Sequence, residues 1–318
     1  MIRSRALFVI VVVAGCSSHD STPAPDAAGT PILPGFTVPP PPANGMQIVL
    51  PIVKDLAPGS SHEICTYTNI LLDHDIDVRE IEAYQARSGH HVALWSSKVA
   101  DKASPSHECS DADMTNFRFI AAANANMTNT APGTLQFHIA AGNYLAVQEH
   151  FINASDEPVD SQSVLDIDFA DPGGHYTNST GLAFLNSDLS LPPGPNTMDI
   201  HCAMANDVEA WFTMPHMHAY GTAFTTTWTH AGQATQLVDM PVGSWDPSYE
   251  FMAPATTYDV SAPIEFATGD TVDVHCEWNN TTTDTLKFGN EMCVFFAQTI
   301  DTHDLGNLAC DGGGWGSF

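Results

Sequence analysis

The sequence predicts an all-β chain, two consecutive antiparallel β-sandwich domains preceded by an export signal and a tether. Three observations carry this. Helical periodicity is scarce. Short apolar or alternating runs dominate, such as "DIDVREIEAYQA", "HHVALW" and "TVDVHCEW". Clusters of turn residues ("APGSS", "NTAPG", "DPGG") separate these runs, as they do between half-buried strands of period two.

Residues 1–16 read as a signal. "MIRSR" carries two arginines, "ALFVIVVVAG" is an apolar run too short to span a bilayer, and "VAGCSS" places small residues before Cys16. The last feature resembles a bacterial lipobox, in which the cysteine is lipidated and becomes the mature N-terminus. An ordinary cleaved signal peptide is the alternative, and both export the chain. Ser17 and Ser18 after the cysteine favour the outer membrane over the inner. Residues 17–45 are dense in Pro, Ala, Ser and Gly, so they are expected to be a disordered, extended tether.

The strands follow. "MQIVLPIV", "EICTYTNILL", "TLQFHIAA", "YLAVQEHFINA" and "SVLDIDFA" fill a first domain over 46–190. "LPPGPN" marks the boundary. "MDIHCAMA", "EAWFTMPHMHAYGTAFTTTWTH", "PIEFATGDTVDVHCEW" and "EMCVFFAQTI" fill a second over 191–318, ending in an irregular tail, "CDGGGWGSF". No internal repeat stands out. The formal charge of −28, with only 9 Lys and Arg in 318 residues, excludes nucleic acid as a partner and leaves a lipid anchor as the one expected tie to a membrane. The scattered acidic residues read as a solvated surface. Of 7 cysteines, 6 remain if Cys16 takes lipid: Cys65, Cys109, Cys202, Cys276, Cys293 and Cys310. An even number in an exported chain points to disulfides, with the pairing open.

There are 15 histidines. Isolated ones, such as His19, His62, His175 and His303, read as surface residues. "MPHMHAYG" is different: His216 and His218, two apart on a strand, project from one face and can reach one ion. "VQEHFINA" puts His150 in an apolar strand, where a hydrogen-bonded core histidine is the plainer reading. "EMCVFFAQ" puts Met292 beside Cys293. Packing explains such a methionine, but a thioether is also a soft ligand that favours Cu(I). "RSGHHVALW" puts His90 and His91 side by side, and a regular strand would send them to opposite faces. Gly89 allows a bulge that would turn both rings towards one metal.

Taken in order, an adjacent His-His, a later lone His, a His-x-His and a Met-Cys resemble the copper type II, ascorbate-dependent monooxygenases. This is the family of peptidylglycine α-hydroxylating monooxygenase and dopamine β-monooxygenase, and the resemblance covers roughly 46–318. It implies two jelly-roll-like domains holding one copper each across a solvent-filled cleft. His90, His91 and His150 would bind an electron-transfer copper. His216, His218 and Met292 would bind the oxygen-activating copper and so carry catalysis. It also implies the pairs Cys65–Cys109, Cys202–Cys310 and Cys276–Cys293, the last holding the Met292 thioether in place. The implied reaction is hydroxylation of a C–H bond of a small organic substrate by O2, with ascorbate or a similar reductant.

The peptide-hydroxylating branch has an Arg two residues before the His-x-His, an Asn two after the Met and a Tyr four after it. This chain has Met214, Val294 and Phe296 there, so a carboxylate clamp is replaced by apolar surface. Peptides ending in a free glycine are therefore not the expected substrate. Trp211, Phe212, Tyr220 and Tyr249 are candidates for lining the pocket. Amine specificity is not carried over from the dopamine branch, which is matched only at the ligands. The rival readings are an exported copper carrier or buffer without turnover, a cupredoxin-like electron carrier, which lacks its Cys-His-Met loop here, and a surface lipoprotein with incidental histidines. Asn-x-Ser/Thr sequons, Asn126, Asn153, Asn178 and Asn280 among them, carry no function in such a lipoprotein.

Overall fold

Period-two burial governs the computed structural model, which describes residues 30–250 and 253–317. The Ile76–Gln85 strand, for example, buries Ile76, Val78, Ile81, Ala83 and Gln85. The chain is all-β. Among the described residues, the only α-helix is the short Asp111–Asn116, and no helix is long and apolar enough to cross a membrane.

Each half is a jelly-roll-like sandwich. In the first, the strands Gly45–Val49, Ser163–Phe169, Ile76–Gln85 and Leu135–Ile139 form one sheet. Ser106–Glu108, Ser61–Leu71, Tyr144–Ile152, Gly89–Ser97 and Phe117–Asn124 form the other. Ile48, Val78, Ile81, Leu165 and Ile167 of one face meet Val92, Leu94, Leu145 and Val147 of the other. In the second half, Gly194–Ala203, Thr271–Asn280, Gly221–His230 and Gln233–Met240 lie in that order. They face Thr177–Leu185, Val294–Ile300 and Val208–His216 across Phe184, Phe224, Phe266, Trp278 and Phe295, all fully buried. Removing each such ring from water contributes roughly 1.5–3 kcal/mol.

The Thr177–Leu185 strand lies ahead of the boundary expected at 190, yet it packs in the second core and pairs with Val294–Ile300 and Leu308–Asp311. Its first residues also pair with Leu135 and Gln136. That contact fuses the two halves into one 12-stranded sheet. Trp211 and Ile300 of the second half fall in the first core.

The halves repeat one plan that the sequence hides. In each, a central strand ends at a buried asparagine, Asn153 or Asn280. Each side-chain amide donates to two carbonyl oxygens, those of Leu56 and Glu157 or of Leu191 and Asp284. Each side-chain oxygen accepts from Ser155 or Thr282 two residues on. The sequons at Asn153 and Asn280 are thus buried turn devices.

Two expectations change. Residues 30–44, expected as tether, lie against the first half because the buried Gln162 accepts from Leu33 N–H and donates to Pro31 and Leu50 carbonyls. The tail is not irregular. Leu308–Asp311 and Gly314–Ser317 pair as a hairpin, because Gly312 and Gly313 supply the two positive φ angles (56° and 91°) that a two-residue loop needs. Three disulfides form, Cys65–Cys109, Cys202–Cys310 and Cys276–Cys293. Such a set belongs to an exported protein in an oxidising compartment. Cys16, the signal and residues 17–29 lie outside the described residues.

Candidate metal centres

The first centre forms where strand register breaks. His91 pairs with His150, but Gly89 pairs with Phe151, so His90 is the extra residue of a bulge. The departure from regular pleating expected at Gly89–His91 is present, and it puts both imidazoles on one side. Ring centroids are 5.3 Å apart for His90–His91 and 5.0 Å for each of them to His150. One nitrogen from each ring lies within 4.8 Å of the other two.

The supports of this centre are local. Ser88 closes the preceding turn at φ 70°, and its carbonyl accepts from Ile152 N–H at 2.8 Å. Gly89 backs onto buried Gln85: a Cβ there would sit 2.2 Å from Gln85 Cβ. Gln85 Nε2 donates to Ser163 Oγ (3.1 Å) and to the His150 carbonyl (3.4 Å). His150 Nε2 bonds Ser61 Oγ at 2.8 Å. Burial pushes His91 down to about 4 and His150 to about 3, with the neighbouring imidazoles adding to it, and burial lowers His90 as well. All three rings are neutral at pH 7 and keep a lone pair for a metal.

The second centre spans the end of Val208–His216 and the turn after it. Nε2 of His216 and Nε2 of His218 are 3.2 Å apart. His218 Nδ1 lies 3.1 Å from the Asn290 carbonyl oxygen. A carbonyl only accepts, so the proton sits on Nδ1 and Nε2 is left as a donor to metal. Burial pushes His216 down to about 3, with charges on His218 and His91 adding to it; burial also lowers His218.

His216 pairs with Val294 in antiparallel register. Half-buried Met292 and His218 lie just beyond that last pair, and the backbone N–H groups of both donate to Glu291 Oε2. The Cys276–Cys293 disulfide adjoins Met292. Three imidazoles in one place, and two imidazoles in the other with Met292 near in the backbone, offer donor types suited to copper.

Other nominated residues divide. Met214 and Phe296 are direct cross-strand partners. The Phe296 ring meets Phe119 of the first half edge-on at 5.6 Å, so the place of a carboxylate clamp is an apolar contact between halves. Trp211 is a core residue whose Nε1–H donates to Ser179 Oγ at 2.9 Å, and Phe212 packs beside it. Tyr249 packs edge-on against Trp245 at 5.6 Å, and Trp245 Nε1–H caps the His218 carbonyl at 3.0 Å. His62 pairs with Glu108 at the surface. His19 lies outside the described residues.

Sequence reasoning missed Gln85, Ser61, Glu63, Glu250 and Glu291. Glu63 is the cross-strand partner of His150. Glu250 is pushed up to about 7 by burial and by the charges of Glu63 and Glu291. Only Glu291 carried a signal, its place next to Met292 in "EMC".

No family model matches the chain, and no curated protein matches it. Among solved structures it is similar to PNGase F, a glycosylasparaginase from Flavobacterium meningosepticum. Identity is 12%, 81% of this chain and 96% of that one are covered, and the TM-score is 0.35. It is also similar to the major capsid protein P2 of bacteriophage PM2, at 10% identity over 81% of this chain and 98% of that one, with a TM-score of 0.30. Likenesses of this degree transfer no activity to the chain.

Proposed function

We propose that this exported protein is a two-site copper monooxygenase of the ascorbate-dependent type, hydroxylating a C–H bond of a small organic substrate with O2. The observation that supports it is the convergence of His90, His91 and His150 within 4.8 Å, together with a second pair, His216 and His218, whose Nε2 atoms are 3.2 Å apart. In this reading the first three hold one copper and His216, His218 and Met292 hold the other. Bound there, the ions would supply one-electron transfer and the activation of O2, with ascorbate or a similar small reductant as the electron source.

The chain's own part is positioning. Burial keeps the imidazoles neutral and ready to bind. The Asn290 carbonyl fixes the His218 tautomer. The Met292 thioether is a soft, neutral donor that favours the reduced ion. Met214 and Phe296 give the substrate an apolar surface with no cation to hold a carboxylate, so a neutral or aromatic substrate fits better than a glycine-extended peptide. Lipidation of Cys16 would anchor the protein by its N-terminus, leaving both centres in the periplasm or at the cell surface.

The test is metal content after copper loading, followed by O2 uptake. Two coppers per chain are expected, falling to one in Met292→Ala or His150→Ala. Copper uptake unaffected by either substitution overturns the assignment. Copper bound as expected, but with no screened substrate coupling O2 uptake to ascorbate oxidation, favours a copper carrier instead.

A further inference from the structure

Beneath the His218 turn lies a fully buried carboxylate that neither ligand set includes. Glu291 is 0% exposed, and four N–H groups converge on it. Its Oε1 accepts from Tyr220 N–H at 2.7 Å. Its Oε2 accepts from His218 N–H at 3.0 Å, from Trp278 Nε1–H at 3.0 Å and from Met292 N–H at 3.3 Å. These donors come from three separate segments: the turn after Val208–His216, the Thr271–Asn280 strand and the approach to Val294–Ile300. Two of them are the backbone amides of His218 and Met292 themselves.

From this geometry we propose that Glu291 is the positioning residue of the second centre, fixing His218 and Met292 at the separation that lets an imidazole and a thioether reach one ion. The inference rests on the metal reading for its purpose and on the hydrogen bonds alone for its mechanics. His216 is already placed by the strand ladder, through its pairing with Val294. His218 and Met292 lie beyond the ladder on their two segments, so something else must set their spacing. The Cys276–Cys293 disulfide ties only the Met292 side. Glu291 ties both, and Trp278 anchors the clamp to the core.

A carboxylate is the group that suits this place. All four neighbours are donors, and an ionised carboxylate is acceptor-only at both oxygens. A glutamine keeps the volume but turns an NH2 towards at least one N–H group, whichever way the amide lies. Glu291→Gln therefore separates the charge and acceptor pattern from packing.

The test has two arms. The first is amide hydrogen exchange on the copper-free protein. In Glu291→Gln, the His218 and Tyr220 amides are expected to lose protection by about tenfold or more, while the amides of Gly89–Ser97 and Tyr144–Ile152 stay as in the wild type. Unchanged protection at His218 and Tyr220 overturns the proposal without touching the metal reading. The second arm is X-ray absorption of the Cu(I)-loaded protein. Sulfur scattering from Met292 is expected in the wild type and lost or weakened in Glu291→Gln, with the first centre's copper retained. Sulfur scattering equal in both overturns the positioning role. Its absence from the wild type overturns the metal reading, and with it that role. If Glu291→Gln does not fold, Trp278→Phe removes one donor and keeps the acid. It is expected to give a smaller loss at the same two amides, and no loss there overturns the clamp.

Discussion

Gly89→Ala should empty the first centre and spare the second. The added Cβ would lie 2.2 Å from Gln85 Cβ, with Gln85 Cδ at 2.9 Å and Oε1 at 3.0 Å, where ordinary contact begins at 3.4 Å. Relief needs about 1.2 Å of movement, and Cβ atoms move only with the backbone. Gln85 cannot simply swing aside, since its amide holds Ser163 Oγ and the His150 carbonyl. The Gly89 end is the freer partner, so the strain moves His90 and His91. Metal–ligand distances tolerate only ~0.2 Å, several-fold less than this displacement. Overpacking of this kind costs about 1–3 kcal/mol, enough to lower Tm without abolishing the fold. Native mass spectrometry after copper loading should count one copper in Gly89→Ala and two in the wild type. Two coppers in Gly89→Ala, with wild-type affinity, would refute the bulge as the device that joins His90 to His91.

Other outcomes follow from the same structure. Glu149, on the opposite face of its strand from His150 and fully buried, is pushed up to about 8, by burial above all. A carboxyl raised in the fold contributes stability below its unfolded value of about 4.5 that is lost as pH rises towards 8. Glu149→Gln should therefore be more stable than wild type by on the order of 3 kcal/mol at pH 7 and nearly equal at pH 4. Denaturant titrations at both pH values check this, and parallel curves would count against it. His150 and His216 are depressed, to about 3 each, so their contribution is present above pH 6.5 and lost as pH falls towards 3. The copper-free protein should unfold in acid over that window. Asn153→Ala and Asn280→Ala each break the same buried turn and should each cost about 1–3 kcal/mol. Expression in a glycosylating host should add no glycan at either position, and a glycan found there would contradict their burial.

Much of the fold was legible because period-two burial is local. The strands around Ile81 and Val274 could be read from alternation, whereas the boundary expected at "LPPGPN" leaves Thr177–Leu185, a strand of the second core, on the wrong side. The fusion of the two halves could not be read this way, because the pairing of Thr177 with Leu135 joins residues far apart in sequence. The tail hairpin was missed although its turn chemistry, Gly312–Gly313, was in view. Residues 30–44 were misread because composition gives the cost of ordering a Pro-rich segment but not the presence of Gln162 to hold it.

For the candidate centres the division is similar. The sequence by itself determined which side chains exist to bind a metal: an adjacent pair of histidines behind a glycine, a His-x-His, a lone strand histidine and a methionine beside a cysteine. It also determined the even cysteine set. Tertiary structure alone decided that His90 and His91 share a side, because register against Tyr144–Ile152 creates the bulge. It alone brought His150 to them and revealed Glu291 under the His218 turn. The physical reason is that residue type and spacing fix local alternation, whereas convergence depends on which strands pair and where their register slips.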